Sequence, residues 1–60
     1  MIIFWAGALV RGSIRKALRS AQFQGLKIEW MENKGLIESE FIVKGSDASK
    51  FKKWLQQYAD

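Results

Sequence analysis

Ser13-Ile14-Arg15-Lys16-Ala17-Leu18-Arg19-Ser20-Ala21-Gln22-Phe23-Gln24 is the stretch on which the fold turns. At about 100° per residue, Ile14, Ala17, Leu18 and Ala21 gather on one side together with Val10, and the cations gather on another. That is the period of an amphipathic helix with one side committed to a core. Gly25 follows it, where a residue of left-handed conformation ends a helix. Two starts are open. Ser13 is a plausible N-cap, its hydroxyl accepting from an orphan backbone N–H of the first turn. A start near Ala8 would instead leave Gly12 inside the helix.

The same stretch carries the one spacing that suggests a partner. Arg11, Arg15 and Arg19 stand at i, i+4 and i+8, with Lys16 beside them. On a helix the three guanidinium groups share roughly one quarter of the circumference.

Beyond Gly25 the period changes from 3.6 to 2. Leu26 to Met31 alternates, with Leu26, Ile28 and Trp30 on an inner face. Glu32-Asn33-Lys34-Gly35 then reads as a tight turn. Leu36 to Lys44 forms a second strand, with Ile37, Ser39, Phe41 and Val43 on one face and Glu38, Glu40, Ile42 and Lys44 on the other. A four-residue loop, Glu32 to Gly35, sets Trp30 opposite Ile37 and Lys27 opposite Glu40. A two-residue loop, Lys34-Gly35, sets Ile28 opposite Phe41 but Glu29 opposite Glu40. The first avoids a like-charge pair and gains an ion pair, and is preferred.

Gly45 breaks that strand, and Ser46 or Asp47 caps a last helix. Phe51, Trp54, Leu55 and Tyr58 form its apolar stripe at i, i+3, i+4 and i+7, while Lys50, Lys52, Lys53, Gln56 and Gln57 face water.

Upstream of the first helix, Met1 to Ala6 is a continuous apolar run rich in β-branched and aromatic residues. Such a run suits a strand covered on both faces at the centre of a sheet. Met1 to Val10 is too short to cross a bilayer, which takes about 20 residues. It also lacks the charged start and cleavage site of a secretory signal. The cytoplasm is therefore the expected compartment.

The order is β-α-β-β-α in a single domain over 1–60. The expected class is α+β, with two helices packed on one face of a mixed three-stranded sheet. A crossover through the first helix sets the first strand parallel to one of the others. The outer sheet face would carry Lys27, Glu29, Met31, Glu38, Glu40, Ile42 and Lys44. This plan leaves a sheet edge open, which invites pairing with a second copy.

Composition narrows function. Sixty residues with no Cys and no His exclude disulfides, thiolate metal sites and the commonest nucleophilic triads. No metal or cofactor is expected. Gly7-Ala-Leu-Val-Arg-Gly12-Ser13 has the outline of a phosphate-binding glycine loop, but the Lys that neutralises the terminal phosphates is missing. Glu29 with Glu32, and Glu38 with Glu40, are carboxylate pairs at solvated strand positions, without a dry pocket to split their pKa values. No catalytic residue is assigned.

Ten Lys and Arg against six Asp and Glu give a net charge of +4. This favours nucleic acid or an acidic protein surface as partner. The expected nucleic-acid-binding residues are Arg11, Arg15, Lys16 and Arg19, extended by Lys50 and Lys53 on the last helix, with weak, salt-sensitive and sequence-tolerant contacts. Trp5, Trp30, Trp54 and Phe4 are available for stacking, but most are placed in the core. The alternative is a protein-interaction or inhibitor module that acts through an open strand edge and forms a homo-oligomer. A membrane-surface role is disfavoured, because the hairpin and second helix imply a globular core.

Overall fold

A computed structural model describes residues 1–59, with side chains described through Gln56. The elements are β1 (Ile2–Gly7), α1 (Arg11–Phe23), β2 (Glu29–Lys34), β3 (Glu38–Lys44) and α2 (Ala48–Ala59). The α+β order expected from the sequence is present. The expected places of Gln57 and Tyr58 on α2 lie outside the described side chains.

The sheet is antiparallel throughout, not mixed. Its order is β1-β3-β2, and β3 pairs antiparallel with both neighbours. β1 and β2 therefore run in the same direction, as a crossover through α1 requires, but β3 sits between them. The hairpin explains this: β3 turns back from β2 and takes the central position. It is also the strand best fitted for it, since Ser39, Phe41 and Val43 are fully buried. β1 is thus an edge strand rather than the central one. Its run is apolar on both faces, but only one face is covered: Ile2, Phe4 and Ala6 turn inward, while Ile3 and Trp5 are exposed.

The hairpin register also differs from both expected versions. Lys34 pairs with Ser39, Trp30 with Val43 and Glu29 with Lys44. β2 continues through Glu32, Asn33 and Lys34, three of the four residues read as a turn, and Gly35, Leu36 and Ile37 make the bend. Leu36 and Ile37 are exposed there, outside the strand in which they were expected. The bend is closed by the Gly35 N–H donating to the Glu38 carbonyl at 2.9 Å. Leu26 to Ile28 approaches β2 as an irregular segment.

α1 begins at Arg11, between the two expected starts, with Gly12 inside it and Val10 at the N-cap making no side-chain cap bond. Ser13 is not the cap, and Val10 is half-exposed rather than part of the apolar side. The C-terminus is as expected. Gly25 has φ +100°, the Leu26 N–H donates to the Ala21 carbonyl at 3.0 Å, and the Gly25 N–H donates to that of Gln22 at 3.1 Å. This pair of bonds satisfies the last carbonyls of the helix. Asp47 precedes α2, and its carboxylate accepts from the Lys27 N–H at 2.7 Å. That bond fastens the start of α2 to the segment entering β2.

One core joins these elements. Ala6, Ile28, Phe41 and Val43 meet Ala17, Leu18 and Ala21 of α1 and Ala48 and Phe51 of α2. Phe4 stacks on Phe41 with ring centroids 5.5 Å apart, and Trp30 tilts against the same ring at 6.3 Å. Contact between strands is much denser than contact between helices and sheet. No helix among the described residues is long and apolar enough to cross a membrane.

Candidate functional site

α1 brings the arginines to one side, as their spacing requires, but two of them face the protein. The Arg15 guanidinium grips Glu32 with two parallel bonds, Nε to Oε1 at 2.6 Å and Nη2 to Oε2 at 2.8 Å. The Ser39 hydroxyl donates to the same Glu32 Oε2 at 2.6 Å. Arg11 Nη1 donates to the Gly35 carbonyl at 2.7 Å and to Ser39 Oγ at 3.3 Å. Together these bonds tie the first half of α1 to the tip of the β2–β3 hairpin. A forked pair of this kind is geometrically specific. It forms because β2 runs on to Lys34, which turns Glu32 inward.

The network fixes the charge states within it. Glu32 is held from its ordinary 4.5 down to about 2, first by the Arg15 hydrogen bonds, then by Ser39, against a smaller opposing cost of burial; the positive charges of Arg15 and Arg11 add to the lowering. Arg15 is raised in turn, chiefly by its bonds to Glu32. The other expected cations lie outside this network. Lys16, Arg19, Lys50 and Lys53 are exposed, and Lys50 lies 3.7 Å from Asp47. Lys16 borders an open groove of about 440 Å³ along α1, lined among the described residues by Ser13, Lys16, Ala17 and Ser20.

A second surface was only partly anticipated. On the outer sheet face Ile3 pairs with Ile42, and Ile42 with Met31. These three side chains make a single apolar row across all three strands. Trp5 stands beside it, in the row of Glu40 and Asn33. Ile3 is 52% exposed, Trp5 60% and Met31 51%. Met31 and Ile42 were expected on this face. Ile3 and Trp5 were missed, because an uninterrupted apolar run does not show which of its faces stays open. Beyond Gly7 the apolar exposure continues: Leu9, Val10, Leu36 and Ile37 are exposed on two bends joined by the Ala8 N–H donating to the Ile37 carbonyl at 3.0 Å.

Glu29 and Glu38 are exposed, Glu40 accepts from Asn33 Nδ2 at 2.9 Å, and Glu32 is neutralised by Arg15. Among the described residues no group of His, Cys, Asp or Glu is arranged to hold a metal ion. The chain matches no protein-family model, no curated protein and no solved structure.

Proposed function

We propose that this chain is a small non-enzymatic interaction domain that docks onto another protein through its outer sheet face. In this reading both helices pack on the opposite face and leave the outer one free. One observation carries it: the row Ile3–Ile42–Met31, with Trp5 alongside, places large apolar side chains in water on a regular, rigid surface. A chain this short has little apolar material to spare. A contiguous exposed apolar patch rimmed by charge is the usual mark of a docking surface. Here the rim is Glu29, Glu38, Glu40 and Lys44.

A second reading, binding of nucleic acid or another polyanion, has narrower support than the full arginine row suggested. Arg11 and Arg15 are engaged internally, so the contact would fall to Lys16 and Arg19, with the Ser13 and Ser20 hydroxyls along the groove and Lys50 and Lys53 on α2. So few phosphate contacts give weak, salt-sensitive binding.

A photo-crosslinking amino acid placed at Met31, and separately at Lys16, distinguishes the two in cells. The expected result is protein adducts from position 31 and none from position 16. Nucleic-acid adducts from position 16, with position 31 silent, would reverse the assignment.

A further inference from the structure

We infer that the occupant of the outer face is a second copy of this chain, related by a two-fold axis running across the strands above Ile42. The inference rests on the docking reading and names its partner.

The pattern of charge about the apolar row selects this partner. On β3, Lys44 lies two residues to one side of Ile42 and Glu40 two residues to the other, all three on the outer face. The neighbouring strands do not repeat this polarity: the acidic Glu29 lies on the Lys44 side, and the side of Glu40 has only uncharged neighbours. Glu29 stands opposite Lys44, and Asn33 and Trp5 stand opposite Glu40. Rotation about an axis across the strands keeps the Ile3–Ile42–Met31 row in place and exchanges its two sides. Each apolar side chain then meets its own counterpart, as an isologous contact requires. Lys44 of each copy lands over Glu40 of the other, and Glu29 lands over Asn33. Two reciprocal ion pairs therefore flank a continuous apolar seam.

An axis along the strands fails this test, since it stacks Lys44 on Lys44 and Glu40 on Glu40. Charge thus selects one of the two simple face-to-face arrangements. The groups are also prepared for it. Asn33 holds the Glu40 carboxylate on this face at 2.9 Å. Lys44 makes no ion pair among the described residues, although Glu29 is its cross-strand neighbour. Stacked sheets cross at about 30°, which displaces positions two residues from the axis by a few ångströms, within reach of a lysine side chain.

Size sets the strength. Three strands about 4.8 Å apart and some 20 Å long offer a footprint of only a few hundred Å² per copy. That lies at the small end of specific interfaces, below about 1,200 Å² in total. The dimer is accordingly weak, with a Kd on the order of tens of micromolar or higher.

The test is sedimentation equilibrium of the purified full chain from about 10 μM to about 1 mM at low salt, a range that brackets such a Kd. The expected result is a monomer–dimer equilibrium. Lys44→Glu and Glu40→Lys each weaken it by about tenfold or more, because each sets like charges face to face twice per dimer. The two changes together restore it to within a few-fold, and circular dichroism checks that all variants are folded. A monomer throughout, or a dimer that the double exchange does not restore, overturns the second copy as partner. If a monomeric chain still yields protein adducts from position 31, the docking reading stands with another protein as its partner. If those adducts are lost as well, both fall.

Discussion

Glu32 shows how much one residue's orientation decides. Its carboxylate accepts three hydrogen bonds, two from Arg15 and one from Ser39, and is held at about 2 rather than 4.5. A carboxyl lowered on folding contributes stability that is fully present above its unfolded value and is lost as protons return. The contribution is therefore complete above about pH 4.5 and disappears as the pH falls toward 2. Glu32→Gln should lower the melting temperature at neutral pH and flatten the acid limb of stability against pH, with the two proteins converging near pH 2. Thermal melts across that range check this; parallel curves for variant and parent would show that Glu32 is not the group responsible. The i, i+4, i+8 spacing of Arg11, Arg15 and Arg19 was legible in the sequence, because it follows from helix geometry alone. What the arginines would face was not, since that depends on a neighbouring strand that runs to Lys34, three residues beyond the expected Met31.

At the scale of elements, the helix periods, the Gly25 stop and the β-α-β-β-α order were readable, because each is set by residues close in sequence. The hairpin register was not. Shifting a hairpin so that each residue's partner moves by an even number keeps every side chain on its face, so alternation cannot choose among such registers. Here the choice is made by contacts from elsewhere: Glu32 to Arg15, and Arg11 to the Gly35 carbonyl. Gly45 makes a comparable long-range contact. It has φ +113°, and an added Cβ would collide with the Lys27 carbonyl oxygen and stand 3.0 Å from Ile28 Cα. Gly25 has φ +100° with open space around it. Gly25→Ala should cost about 1–3 kcal/mol for the backbone conformation alone, and Gly45→Ala should cost clearly more. Paired urea titrations measure the difference, and equal losses would mean that the approach of Gly45 to the β2 entry segment is not tight.

The whole molecule is thin. Among the described residues the largest fully buried side chains are Phe41, Phe51, Leu18, Val43 and Ser39. Domains are stabilised by about 0.05–0.15 kcal/mol per residue, which for this length comes to less than 10 kcal/mol, and truncating one buried leucine removes about 2–5 kcal/mol. Leu18→Ala should thus shift the urea midpoint to a small fraction of its parent value or abolish the folded baseline. A change of only a few tenths of a molar would show that α1 contributes little to the core.

The placement of β1 has a consequence for how the chain is made. Ile2 pairs with Val43 and Phe4 with Phe41, so β1 leaves the ribosome before its partner and finds that neighbour only after α1 and β2 have followed. Closing so long a loop is slow compared with forming a local hairpin. Throughout that interval an uncharged segment, Ile-Ile-Phe-Trp-Ala-Gly, waits without a hydrogen-bonding neighbour, in the condition that chaperones and aggregates compete to capture. The sooner β3 emerges and pairs with it, the shorter the exposure to such capture.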